Sequence, residues 1–119
     1  MISPESKSQY IQQVTNAKVD LNTTNLTTIY TAPSGDEFDF TIIESILVCD
    51  HDNQQTNVDL SITSGSDVFH IFKQHNITAH ATDELLTRDL VLKAGEILKA
   101  QANHANLNIV VSLVEYAKG

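Results

Sequence analysis

Three histidines, His70, His75 and His80, recur every five residues, and imidazoles at regular spacing are one way to gather a divalent metal. On a strand, residues five apart point to opposite faces, and ten extended residues separate the outer pair by roughly 33 Å. Without a sharp reversal between them, these three side chains do not converge. Asp50-His51-Asp52-Asn53 offers oxygens to a calcium ion, but the stretch lacks the glycine and the distal glutamate of an EF-hand loop and reads as a solvated turn. Cys49 and His51 share a strand face, as a thiol and its base must, yet no orienting acid or oxyanion hole accompanies them. The acid pairs Asp36-Glu37 and Asp83-Glu84 sit in turn-rich sequence, and a glycosidase pair is defined by separation in space rather than by adjacency. Metal-dependent jelly-roll enzymes of the cupin type need a His-x-His pair and a following Glu, and no His-x-His occurs. The prediction is therefore a non-enzyme with no catalytic residues, no cofactor and no metal.

The elements that would have to position any such residues are bounded by composition. At 119 residues, the chain has the size of one domain and should bury roughly 65% of the surface its unfolded form exposes. Its 41% apolar and 18% charged residues fit neither disorder nor a membrane protein, and no apolar run approaches the roughly 20 residues of a spanning helix. The formal charge is −8, with 7 basic residues scattered among 15 acidic ones. That balance excludes a nucleic-acid partner, which needs clustered Lys and Arg to displace counterions from phosphates. The opening Met1-Ile2-Ser3-Pro4-Glu5 has no cationic and apolar leader, so a secretory route is not expected. On that reading the sequons at Asn22, Asn25 and Asn76 are ordinary loop and edge residues. The single cysteine, Cys49, has no internal disulfide partner and reads as a small buried hydrophobe.

Apolar residues recur with period two, the repeat of a β-strand with one buried face. Val58, Leu60 and Ile62 alternate with Asp59, Ser61 and Thr63; after Ser64-Gly65-Ser66-Asp67 comes Val68-Phe69-His70-Ile71-Phe72, which predicts a hairpin. A second hairpin is predicted from Leu90-Val91-Leu92 through Lys93-Ala94-Gly95 into Glu96 to Ala100, with Gly95 supplying a positive φ. Leu107 to Tyr116 is apolar at both parities around Ile109, Val110 and Val111, as in a central strand covered on both faces. Phe38, Phe40 and Ile42 share one parity, which changes before Ile46, Leu47, Val48 and Cys49, so a bulge is expected near Glu44 or Ser45. Short Thr-rich strands at Val19-Asp20-Leu21 and Leu26 to Tyr30 bring the count to about eight. The expected fold class is all-β, an antiparallel sandwich or jelly roll. Two helical candidates stand apart: one turn at Thr82-Asp83-Glu84-Leu85-Leu86, and residues 4 to about 14, where Pro4 follows the cap Ser3. Residues 1–17, with Ile2, Tyr10, Ile11 and Val14 in polar surroundings, read as an arm or edge element, and residues 18–119 as a single sandwich domain.

The run from Leu90 to Ala102 and then from Asn106 to Tyr116 resembles the ending of many small virion proteins of tailed bacteriophages, and the opening Thr28-Ile29-Tyr30-Thr31-Ala32-Pro33 before the apolar strand ending Leu47-Val48-Cys49 is similar to theirs. The resemblance covers about three-quarters of the chain and leaves out its first seventeen residues. It implies a non-enzymatic structural protein located in the virion and assembled in the host cytoplasm. Capsid decoration, or cement, comes first, with the major capsid protein or other virion proteins as partners; a tail, neck or fibre-associated component is the alternative. Such proteins are commonly homo-oligomers, a trimer among the possible forms. The expected contact residues are Ile2, Tyr10, Ile11 and Val14. A carbohydrate- or receptor-binding module is the reading from another class; it would ask for an exposed aromatic platform, and the chain has no Trp.

Overall fold

The structure is a computed structural model that describes residues 10–35 and 38–118, the side chains of Tyr10 and Lys118 excepted. Period-two alternation is realised as nine strands among the described residues: β1 (Tyr10–Leu21), β2 (Thr27–Thr31), β3 (Phe38–Asp50), β4 (Thr56–Ser64), β5 (Asp67–Ile77), β6 (Thr82–Glu84), β7 (Leu90–Lys93), β8 (Ile97–Ala102) and β9 (Leu107–Lys118). They form two antiparallel sheets, one ordered β1-β9-β3-β6 with β7 also paired to β3, the other ordered β2-β8-β4-β5. This is the expected β-sandwich.

The core lies between the sheets. Leu21, Ile43, Ile46, Val48, Leu92, Leu107, Ile109, Val111 and Leu113 face inward from the larger sheet, and Ile29, Val58, Leu60, Ile77, Leu98 and Ala100 from the smaller one. Full burial of each large aliphatic side chain contributes about 1.5–3 kcal/mol. In β4, Val58 and Leu60 are buried while Asn57 and Asp59 reach the surface, as the alternation requires, but Ser61 is buried and Ile62 only partly so, next to the irregularity between Leu60 and Ser61 in the pairing with β5.

Leu107 to Tyr116 lies in β9, which is central, flanked by β1 and β3 over its whole length. The expected bulge falls at Glu44: Ser112 is opposite Ser45 and Leu113 opposite Ile43, so one residue of β3 is skipped. The hairpin of β4 and β5 is present, with Gly65 at φ 61° in its turn.

Three expectations are corrected. Leu90–Lys93 and Ile97–Ala102 are not a hairpin, because β7 pairs with β3 while β8 pairs with β2 and β4 in the other sheet. Gly95 does adopt positive φ, 79°, but its turn carries the chain across the sandwich. It is fixed there by Gly95 N–H to the Ala32 carbonyl (3.1 Å), Ala32 N–H to the Glu96 carbonyl (2.9 Å), and Lys93 N–H to Glu96 Oε1 (2.7 Å). Thr82–Glu84 is a strand rather than a helical turn, since it completes hydrogen bonding along β3, where Leu47 faces Glu84 and Cys49 faces Thr82. Residues 10–14 are likewise strand, paired with β9 from Lys118 back to Val114, and the rest of that helical candidate lies outside the described residues.

Candidate functional site

Of the polar residues first considered for chemistry, Asp36 and Glu37 lie outside the described residues, and the others are held apart or tied into the fold. His70 is exposed on β5, the His75 ring lies 3.6 Å from Asp83 Oδ2, and His80 Nε2 is 3.0 Å from Asn53 Oδ1. Among the described residues, no group of three or more His, Cys, Asp or Glu side chains is arranged to hold a metal ion. In the loop after β3, Asp50 Oδ1 accepts the Asp52 N–H (2.9 Å), Asp52 Oδ1 accepts the Asn53 N–H (2.7 Å), and Asp52 Oδ2 accepts the Asn106 side-chain amide (3.3 Å). These donors, the Asn53 amide first and the Asn106 amide next, hold the Asp52 carboxyl below its usual range. His51 turns away from Cys49 toward Asp20, at 3.5 Å. Cys49, expected to be buried, is partly exposed, because the bulge in β3 sets its parity with Leu47 on the outward face.

Two further polar side chains stitch strands together. Tyr30 reaches across the sandwich from β2: its hydroxyl lies 2.8 Å from the fully buried Thr41 Oγ1 and donates to Glu115 Oε2 at 2.6 Å. Burial, and then the bond to Glu115, raise the phenol well above its ordinary range. Glu84 accepts from the Ser45 hydroxyl, the Ile46 N–H (2.8 Å) and the Leu86 N–H (3.2 Å). Burial pushes its carboxyl upward, but these three donors outweigh burial and leave it below its usual value.

The outward surface of the larger sheet has a different character. Register places Val14 opposite Val114, Val114 opposite Ile42, and Ile42 opposite Val91, so β1, β9, β3 and β7 contribute one apolar side chain each to a single row. Directly opposed residues share a face, and an aliphatic row normally identifies a covered one. Here Val14 is 78% exposed and Val91 53% exposed, while Val114, between its neighbours, is only 5% exposed. The next row holds Phe40 stacked on Tyr116, with ring centroids 4.8 Å apart and planes 18° from parallel. Leu47 extends the apolar surface beyond the bulge and is 40% exposed.

The row ends at an open strand. Among the described residues β1 pairs with β9 alone, and Tyr10-Ile11-Gln12-Gln13-Val14-Thr15-Asn16-Ala17 contains no charged residue, Lys18 and Asp20 coming only at its far end. Natural edge strands are ordinarily blunted with lysine, proline or a bulge, because unpaired N–H and C=O groups recruit further strands. The register of β1 with β9 runs unbroken over twelve residues. Of the expected contact residues, Val14 and Ile11 are exposed in this strand, Tyr10 begins it, and Ile2 lies outside the described residues.

Sequence reasoning located Val14 as isolated and apolar but gave no sign of the row. The signal was available only as parity: Val14, Ile42, Val91 and Val114 each interrupt or oppose the core phase of their strand, and only register aligns them.

A second feature occupies the opposite side of the sandwich. An open groove of about 430 Å³ lies on the outward face of the smaller sheet, lined by Thr24, Asn57, Asp59, Gln74, Gln101 and Asn103 around Ala102. Its floor is β4 and β8, both interior strands. Its wall is shaped by an irregularity in β5, where Val58 is opposite His75 and Leu60 opposite Phe72, so that β5 carries an additional residue. Gln74, in this bulge, has φ 54° and donates its N–H to Asp59 Oδ1 at 2.7 Å. Sequence reading assigned none of these residues to a site; amides and hydroxyls scattered over three strands and two loops have no linear signature.

No protein-family model matches the chain, and no curated protein matches it. Among solved structures, it is similar to a protein of the Bacillus endospore appendages, described as a family of disulfide-linked pili, with TM-score 0.57 at 9% identity over 92% of this chain and 88% of that one. It is also similar to a pentameric capsid protein isolated from metagenomic phage sequences, known in two structures, at TM-score 0.48 and 18% identity, with 95% of this chain and 66% or 63% of that protein covered. The first of these is a likeness of fold.

Proposed function

We propose that this chain is a non-enzymatic structural protein of a phage virion, a capsid decoration protein that binds the major capsid protein lattice through the outward face of its larger sheet and the adjoining edge strand β1. The observation that carries the reading is the Val14, Val114, Ile42, Val91 row running out to β1, which among the described residues is paired on one side only and carries no charge from Tyr10 to Ala17. Val114 is already covered by its neighbours, but Val14 and Val91 at the two ends of the row remain in water, and a partner that covers them gains about 25 cal/mol per Å². The open edge adds a second mode of attachment, main-chain hydrogen bonding to an incoming strand. Residues 1–17 act as the contact arm in this reading, with Ile2, Tyr10, Ile11 and Val14 as its contact side chains. The resemblance of the segment from Leu90 to Tyr116 to phage virion proteins supports the same assignment, as does the sandwich fold shared with a pilus-forming appendage protein.

The test is co-expression of the full chain with the major capsid protein of the same phage, followed by sedimentation of the assembled particles. The native chain should travel with the particles, and Val14→Asp should remain at the top of the gradient with its circular dichroism and melting unchanged. A native chain that stays with the soluble fraction overturns the proposal, as does a Val14→Asp chain that still binds.

A further inference from the structure

The groove on the smaller sheet lies on the side of the sandwich away from the apolar row, and its chemistry differs in kind. Six of its seven lining side chains are polar, and several are locked so that their free hydrogen-bonding groups are defined. Asn103 Oδ1 accepts from the Thr56 hydroxyl (2.9 Å) and the Asn57 N–H (2.7 Å), which fixes the amide and leaves its Nδ2 as a donor. Gln101 donates its Nε2 to the Thr24 carbonyl (3.0 Å), which leaves Oε1 as an acceptor. Asp59 is held by the Gln74 N–H at 2.7 Å and by Lys73 at 3.9 Å. Among the described residues, the side-chain amides of Asn57 and Gln74 have no hydrogen-bond partner. One fixed donor, one fixed acceptor, one carboxylate and two adaptable amides thus surround the same open space.

We propose that this groove binds a neutral saccharide. Each sugar hydroxyl both donates and accepts, so adjacent hydroxyls are satisfied by alternating donors and acceptors such as Asn103, Asp59 and Gln101 present. The only lining side chain without a polar group is Ala102, so an apolar ligand finds nothing to bury against. No cation lines the groove while Asp59 does, which disfavours phosphate, sulfate and acidic sugars. A peptide is disfavoured too, because the interior strands beneath the groove spend their main-chain groups on one another and no side-chain pocket is apolar. The bulge in β5 gives Gln74 a positive φ that a regular strand does not have, a costly conformation for a non-glycine residue.

The test is heteronuclear NMR of the isotopically labelled full chain titrated with neutral gluco-, manno-, galacto- and chito-oligosaccharides, followed at the side-chain amides of Asn57, Gln74, Gln101 and Asn103. At least one sugar should shift these resonances with saturation in the millimolar range, as expected of a few hydrogen bonds without an aromatic platform. Asn57→Ala and Gln101→Ala, both outside the core, should each weaken binding roughly threefold to tenfold while the rest of the spectrum stays in place. The proposal is overturned if no sugar moves the groove amides, if the two variants bind as tightly as the native chain, or if short peptides or sulfated sugars bind better than every neutral one. These outcomes are independent of particle binding, which is read on the other face.

Discussion

Tyr30 shows how a single hydroxyl can join two sheets whose shared interior is mostly apolar. It rises from β2 and ends between Thr41 of β3 and Glu115 of β9. Thr41 is wholly buried, so losing its partner leaves a polar atom with no water to replace it. Tyr30→Phe should lower stability by about 1–2 kcal/mol, read as a lower urea midpoint at an unchanged slope. The pH dependence has a definite sign. The folded state favours the neutral phenol, so this contribution is fully present below the ordinary phenol value of 10.0 and is lost as pH rises beyond it toward the elevated folded value. The difference between native chain and Tyr30→Phe should therefore narrow above about pH 10, measured by urea unfolding across an alkaline series. A difference that stays constant would show that the hydroxyl contributes through packing alone.

At the scale of elements, the turn at Gly95 decides which sheet each neighbouring segment joins. An L-residue placed at φ 79° is strained, and space around the glycine is open, so the cost of Gly95→Ala is one of backbone conformation alone. Thermal unfolding should report a loss of about 1 kcal/mol, and an unchanged melting temperature would remove the conformational argument. This turn also marks the limit of what the chain's alternation conveys. Val58, Leu60 and Ile62 announced a strand, Gly65 announced a hairpin, and the parity change around Glu44 announced a bulge, because each is a local property of a few neighbouring residues. The Leu90 and Ile97 strands read equally well as a hairpin: a tight turn of the same residues can connect partners or carry the chain between sheets, and here Ala32, from a distant segment, holds the turn by hydrogen bonds with Gly95 and Glu96. Likewise Thr82–Glu84 has the composition of a capped helical turn, and becomes a strand only because β3 offers it a free edge. For the candidate sites, Val14 was legible as an exposed apolar residue, whereas its alignment with Val114, Ile42 and Val91, and the gathering of Asn57, Gln74, Gln101 and Asn103, are products of register.

For the molecule as a whole, net charge and apolar contact oppose each other. A chain carrying −8 repels its own copies and any acidic neighbour, while the row at the centre of the surface proposed for assembly, Val14, Val114, Ile42 and Val91, is itself uncharged. Salt screens the first effect and leaves the second, with a Debye length that falls to about 10 Å at 0.1 M. Raising ionic strength from low to moderate should strengthen association of the chain with its particle, measured by the fraction that co-sediments. A contact carried by ion pairs would weaken instead. The two proposed surfaces also lie on opposite sheets, so attachment through one leaves the other facing outward, an arrangement suited to a subunit that coats a particle and meets the medium.

The central position of β9 has a consequence for synthesis. The strand that fills the middle of the larger sheet is the last of the nine to be made. Until it emerges from the ribosome, β1 and β3 have no partner in common and the larger sheet is two unconnected pieces, whereas β2, β4, β5 and β8 have all been translated and can already pair. The smaller sheet is thus free to form first, and closure of the sandwich waits for a single long-range insertion, the kind of step that sets a slow folding rate. During that wait the nascent chain displays the apolar inner faces of both sheets, and it is then, rather than once folded, that it is most exposed to aggregation and most in need of a chaperone.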